Sequence, residues 1–196
     1  MADLYHRLEE IEAIIRVLTG DVERLRPLLG ERSIEAALSD EEEGNRRFYV
    51  RAIFALIEAV VEQHKRLLLD LADGDKITLA AGVREALSER IYAVKDNGAV
   101  VDREQYLQLQ RKLRAVYWAA GEAFGETLGV TFSDQGWGSF RSAVAARDRI
   151  THPKSFQDCH VDEDLLDTVD QGHAWFRKLT NEFVRVARAH RGQHNW

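Results

Sequence analysis

The sequence predicts an all-α protein, a helical bundle of four main helices plus an N-terminal helical arm, and three observations carry that expectation. Apolar residues recur at three- and four-residue spacing through most of the chain, the period of a helix with one buried face. Only two prolines, Pro27 and Pro153, interrupt the 196 residues. Hydrophobic residues make up 45% of the composition, enough to bury a core and too many for a disordered chain.

The elements follow in order. Leu4, Leu8, Ile11, Ile15, Leu18, Val22, Leu25 and Leu29 alternate by four and three, with Glu9, Glu10, Arg16, Glu23 and Arg24 on the flanks, which is a heptad seam. Gly20-Asp21 and Pro27 are expected to interrupt it. Residues 1–40 are then either a short coiled-coil arm for dimerisation or two helices lying on their own domain. The acidic, apolar-poor stretch Ser39 to Gly44 reads as a linker to a bundle domain at 45–190, with 191–196 as a tail.

Within that domain a long helix is expected from Asn45 to Leu71, with Phe48, Ile53, Leu56, Val60, Leu67 and Leu71 able to face a core. A third helix is expected from an N-cap at Thr78 to Lys95, with Asn97-Gly98 as the turn after it. Asp102 and Gln105 resemble a capping box for a helix running through Tyr117 and Trp118 towards Leu128. Ser133 or Asp134 caps the next helix, which should stop near His152 because the residue before a proline leaves the α region. A last helix runs from Asp162 to Ala189, acidic at its start and basic at its end. The aromatics Trp118, Phe124, Trp137, Phe140, Trp175 and Phe176 are expected in the core.

Composition narrows the function classes. Met1 to Arg16 carries charges throughout and lacks the apolar centre of a secretory signal. The longest apolar run, Val50 to Val61, contains Arg51 and Glu58 and is too short to span a bilayer. The single cysteine, Cys159, excludes an internal disulfide. A cytoplasmic protein without membrane contact is expected. The net charge of −6 argues against a sequence-blind nucleic-acid coat. The charge is unevenly spread: Arg141, Arg147, Arg149 and Lys154 against Asp148 give the segment 141–154 a local +3, leaving −9 for the remainder. A small basic patch on an acidic protein suits local phosphate contact.

That segment holds the candidate chemistry. Trp137, Phe140, Val144, Arg147 and Thr151 are spaced three, four, three, four, so Arg147 continues an apolar helix stripe where a leucine is expected. A charge there must find an anionic partner or a wet cleft. Asp148 and His152 are four apart and therefore neighbours on the helix surface, an arrangement that orients a catalytic imidazole. Arg147 and His152 are five apart, about 140° around the axis. They converge imperfectly in one chain, whereas two copies about a two-fold axis would bring both pairs to one cleft.

Arg147-Asp148-Arg149-Ile150-Thr151-His152 resembles the signature of the HEPN superfamily: arginine, a polar residue (often Asn, here Asp), a few residues, then histidine. His152-Pro153-Lys154 is similar to the His-Gly or His-Pro close of such motifs. The resemblance covers roughly Asn45 to His190, and only the motif is specific. It implies a motif near the end of the third helix of a small bundle, paired motifs in a homodimer, and metal-independent endoribonuclease activity, often in toxins or phage-defence effectors with an antitoxin or other protein partner. On that resemblance His152 is a general acid/base, Arg147 a phosphate clamp and Asp148 their neighbour. Arg141, Arg149, Thr151 and Lys154 are either RNA-backbone contacts or ordinary surface residues. RNA supplies a 2′-hydroxyl beside each phosphate, so no metal or cofactor is required, the product carries a 2′,3′-cyclic phosphate, and DNA resists.

Arginine followed four to six residues later by histidine also occurs at Arg185/His190 and Arg188/His194, without a polar residue after the arginine and in an end expected to fray. Asp158, Cys159, His160 and Asp162 lack the second spaced pair of a zinc site. Two alternatives stand beside the nuclease: a non-catalytic HEPN-like protein binding RNA, nucleotide or a protein partner, and a coiled-coil scaffold whose Arg147, Asp148 and His152 merely close a helix with ion pairs.

Overall fold

A computed structural model describes the backbone of residues 2–30 and 39–194 and the side chains of 9–30 and 39–192; the seam positions Leu4 and Leu8, residues 31–38 of the arm and the end of the tail lie outside the described residues. The fold is all-α apart from one hairpin. The elements are α1 (Ala2–Leu25), α2 (Asp40–Asp73), α3 (Ala81–Leu87), β1 (Arg90–Val94), β2 (Val100–Glu104), α4 (Leu109–Phe124), α5 (Gln135–Thr151) and α6 (Glu163–His194), with 3-10 turns at Arg26–Leu28 and Phe156–Cys159. No helix among the described residues is long and apolar enough to cross a membrane.

Two compact units divide the chain, Met1–Val60 with Thr131–Lys178, and Val61–Val130 with Leu179–Trp196. In the first, α1 runs through Gly20-Asp21 without a break, and Pro27 alone ends it in the 3-10 turn. One glycine costs about 1 kcal/mol in a helix, which the remaining turns offset. Arg26 then donates to the Tyr49 hydroxyl at 3.1 Å and pairs with Asp170 at 2.8 Å, and Tyr49 donates to Asp170 at 2.7 Å. Burial leads the causes that push the Tyr49 phenol up to about 12.

The stretch read as a linker is the start of α2. Ser39 Oγ accepts from the Glu42 N–H at 3.2 Å while Glu42 Oε2 accepts from the Ser39 N–H at 2.8 Å. That capping box, with Asp40 to Glu43 on the positive helix end, turns an acidic run into a helix start. Seven residues after Ser39, Arg46 is buried, and its guanidinium donates to the carbonyls of Leu29 at 2.9 Å and Val161 at 3.1 Å and pairs with Glu163. It ties the end of the arm, α2 and the entry to α6. Of the residues expected to face a core from α2, Phe48 lies exposed while Ile53, Leu56, Val60, Leu67 and Leu71 are buried.

Aromatic packing fixes α5 and α6. Trp137 stacks on Phe140 at 5.5 Å and meets Trp175 at 5.2 Å, with Phe132 edge-on to both tryptophans. A Cβ on Gly172 would come within 2.9 Å of the Phe140 Cα, so the two helices approach at a distance only glycine allows.

The second unit holds the largest departures from expectation. The helix predicted over Thr78 to Lys95 ends after two turns, its N-cap is Ala80 without a side-chain bond, and the chain continues as β1. β1 pairs antiparallel with β2, Arg90 opposite Glu104 and Val94 opposite Val100. Asn97-Gly98 is thus a hairpin turn, with Gly98 at a φ of 81°. The Asp102/Gln105 capping box does not form because Asp102 is in β2, and α4 begins at Leu109. Arg90-Ile-Tyr-Ala-Val is rich in the branched and aromatic side chains that prefer strands. Glu89 anchors the hairpin base, pairing with Lys65 at 3.1 Å and Lys112 at 2.9 Å. Trp118 is exposed, contrary to expectation. Residues 190–194 continue α6 rather than fraying: His190 is buried, 5.3 Å from Phe124, with Nε2 at 3.4 Å from the Lys76 carbonyl.

His64 stacks on Phe183 at 3.9 Å with Nδ1 3.0 Å from the Tyr117 hydroxyl. Burial pushes its imidazole down to about 3, so the folded state keeps it neutral. The unfolded chain takes up that proton near pH 6.5. Its contribution is therefore intact above pH 6.5 and is lost as pH falls from there towards 3, by up to about 1.4 kcal/mol per unit. Urea unfolding across pH 7 to 4 should show a smaller loss of stability in His64→Gln than in the parent; parallel slopes would contradict the assignment. Arg46→Ala should cost about 2–4 kcal/mol in the same assay, since it leaves buried carbonyls and Glu163 without their donor; a cost under about 0.5 kcal/mol would show that the tie is not structural.

Candidate functional site

α5 is positioned from both ends. Asp134 accepts from the Trp137 N–H at 2.8 Å as its N-cap, and the helix stops at Thr151 with His152 as the C-cap, both as the sequence predicts. His152 leaves the helical region at φ −128°, ψ 62°, while its N–H still donates to the Asp148 carbonyl at 3.0 Å. Pro153 explains the stop: its ring excludes an α conformation at the preceding residue.

Trp137, Phe140 and Val144 are buried, and Arg147 follows on the same stripe with 22% of its side chain exposed. Its guanidinium lies over the Phe54 ring, 5.3 Å from the centroid. One end pairs with Glu58 of α2 and the other with Asp148 Oδ1 at 3.0 Å. The charge thus meets an aromatic face and two carboxylates, the compensation that a partly buried cation requires. Asp148 does not serve as the orienting partner of His152: no hydrogen bond joins the two among the described residues. The carboxylate is drawn to the adjacent guanidinium, whereas His152 begins to leave the helix and the i,i+4 geometry with it. The His152 side chain is exposed, and its ring has no hydrogen-bond partner among the described residues.

Three residues that matter here went unrecognised in the sequence. Phe54 and Glu58 hold Arg147, and Arg51 donates to the Ile150 carbonyl at 3.0 Å, placing a cation at the negative end of α5. Arg51 and Glu58 were visible only as charges interrupting an apolar run; their seven-residue separation, two helical turns along one strip of α2, was the available signal. The segment after the motif is also pinned. Asp158 accepts from the N–H groups of Lys154 and Ser155, each at 2.9 Å, and the Lys154 bond is the first cause holding its carboxyl below the usual range. Arg47 donates to the Cys159 carbonyl at 3.2 Å, and Glu43 lies 3.0 Å from His160.

The remaining candidates separate clearly. Thr151 donates to the Arg147 carbonyl at 2.8 Å, so its hydroxyl serves its own helix. Arg141, Arg149 and Lys154 are exposed and form no ion pair among the described residues, although Arg149 lies within electrostatic reach of Asp158. Asp158, Cys159, His160 and Asp162 do not converge, since Asp162 faces the Leu165 N–H at 2.8 Å while Asp158 and His160 have the partners given above. Among the described residues no three His, Cys, Asp or Glu side chains gather in a way that would hold a metal ion.

Compared with protein families, curated proteins and solved structures, the chain matches none.

The stripe position of Arg147 yields a test of why a charge sits there. Leucine would continue the apolar face against Phe54, and Glu58, at 49% exposure, would return to water. A part-exposed ion pair contributes about 0–1 kcal/mol. Arg147→Leu should therefore leave stability to urea unchanged or raise it by up to about 1 kcal/mol; a loss above about 2 kcal/mol would make the arginine a structural residue.

Proposed function

We propose that this chain is a metal-independent endoribonuclease of HEPN type, acting as a homodimer in which two α5 ends share a cleft, and serving as a toxin or phage-defence effector. One observation carries the proposal: α5 ends on an exposed imidazole that has no hydrogen-bond partner among the described residues, five residues beyond a guanidinium held in a leucine position by two carboxylates. Carboxylates are what a phosphate replaces, because the planar fork that receives them also matches phosphate oxygens.

In the reaction His152 removes the proton of a ribose 2′-hydroxyl, and the 2′-oxygen attacks the adjacent phosphorus. The bond from phosphorus to the 5′-oxygen breaks, and that oxygen takes a proton from an imidazolium. Arg147 binds the phosphate as negative charge accumulates on it. Asp148 and Glu58 hold the guanidinium until the phosphate takes the place of one of them. The products are a 2′,3′-cyclic phosphate and a 5′-hydroxyl. Arg141, Arg149 and Lys154, exposed and without an ion pair among the described residues, attract the RNA backbone over a short range.

A second reading, a non-catalytic protein of the same fold that binds RNA, nucleotide or a protein partner, draws on a different fact. Both ends of the Arg147 guanidinium already have carboxylate partners, and Asp148 does not orient His152. Incubation of the purified chain with single-stranded RNA in EDTA separates the two. Cleavage with cyclic-phosphate ends, reduced at least about 100-fold in His152→Ala and in Arg147→Leu, is the expected result. Intact RNA that nevertheless binds the parent protein would favour the second reading.

A further inference from the structure

We infer that Phe156 and Phe48 are stacking sites for unpaired bases near the end of α5, an inference that rests on the nuclease reading for where the strand lies. Phe156 is 84% exposed and Phe48 is 56% exposed, so neither ring contributes much to a core. Phe156 nevertheless sits on a firmly held element. Ser155 and Asp158 form a reciprocal capping box around it, Asp158 also accepts from the Lys154 N–H at 2.9 Å, and Arg47 and Glu43 fasten the Cys159 carbonyl and His160 to the start of α2. A rigid, presented aromatic ring loses little freedom when a flat partner covers it.

Chain neighbours connect both residues to the same helix end. Phe156 follows His152 by four residues, which places its Cα at most about 14 Å away. Phe48 lies on α2 one residue after Arg47, which bonds the Cys159 carbonyl, and three before Arg51, which bonds the Ile150 carbonyl.

Charge indicates which partner covers them. Of the acids near these rings, Asp158 accepts from two backbone N–H groups and Glu43 lies against Arg47 and His160. On the cation side, Arg51 donates to a carbonyl, and Arg149 and Lys154 are exposed and form no ion pair among the described residues, although Arg149 lies within electrostatic reach of Asp158. Separate exposed aromatic rings near exposed cations fit a polyanion that carries flat apolar groups, which is a nucleic-acid single strand. A protein partner would require a continuous apolar patch. A duplex keeps its bases stacked on each other and offers no free face to either ring.

The test uses the full chain and a labelled 2′-O-methyl oligoribonucleotide of mixed sequence, which lacks a free 2′-hydroxyl and cannot be cut, as single strand and as duplex. The parent should bind the single strand at least about 10-fold more tightly than the duplex. Phe156→Ala and Phe48→Ala should each weaken single-strand binding about 5- to 100-fold, the range of a lost base–aromatic stack, with duplex binding unchanged. Phe156→Trp should bind like the parent, and thermal unfolding should confirm that each variant is folded. Alanine variants that bind as the parent does would overturn the inference. So would variants that leave binding intact and lower the mass in solution, because the rings would then be a contact between protein chains. The nuclease reading fails separately: a parent that leaves unmodified RNA whole, with the stacking effects intact, would sink cleavage and keep the stacking sites.

Discussion

A guanidinium in a position built for leucine is the constraint from which the first unit is best understood. Arg147 continues the stripe of Trp137, Phe140 and Val144, and nothing in helix propensity asks for a charge there. Once present, it dictates its surroundings: a ring beneath it at Phe54, a carboxylate across from it at Glu58 and another beside it at Asp148. Glu58 and Phe54 are four apart on α2, so one helix face supplies both. The rest of the unit keeps that face in register. Arg51 fastens α2 to the end of α5, Arg46 fastens it to the arm and to the entry of α6, and Gly172 lets α6 approach α5 closely enough for the aromatic block to close. A hydrophobic residue would make these devices unnecessary, and their presence is the physical argument that the charge has a use beyond folding.

Much of this was legible in the amino-acid order, for reasons that differ from residue to residue. The limits of α5 could be read because Asp134 and Pro153 act locally, one by accepting an N–H and the other by excluding a backbone conformation. The seat of Arg147 on a buried stripe could be read from spacing alone. Its partners could not: Glu58 lies 89 positions earlier, and only packing brings it across. Asp148 had two possible partners within one helix turn, and a competition between charge and geometry decided for Arg147 over His152. The hairpin was misread although Asn97-Gly98 between branched and aromatic residues is its usual signature; its two five-residue strands carry no apolar alternation of their own to set against the helical period on either side. Ser39 to Gly44 looked like a linker because acidic residues without apolar ones suit a loop and a helix N-terminus equally well, and the Ser39–Glu42 reciprocity decides between them. Phe48 and Trp118 were placed in the core on hydrophobicity, and the structure turns both outward.

The surface completes the connection from fold to chemistry. A chain of net charge −6 carries a short segment of local +3. Around the end of α5 stand an exposed imidazole, exposed cations, the carboxylates that hold Arg147 and two exposed aromatic residues nearby in the chain or on α2. Each feature alone is common on protein surfaces. Together they are the features on which the proposed RNA reading rests, which assigns them to the 2′-hydroxyl, the phosphate and the base.

The most direct measurement uses a DNA oligonucleotide that contains one ribonucleotide, incubated with the protein in metal-free buffer and followed by mass spectrometry of the fragments. Scission only on the 3′ side of the ribose, leaving a 2′,3′-cyclic phosphate, is what an imidazole-driven transfer with an arginine clamp predicts. Fragments cut elsewhere, or ending in a linear phosphate from the outset, would contradict it.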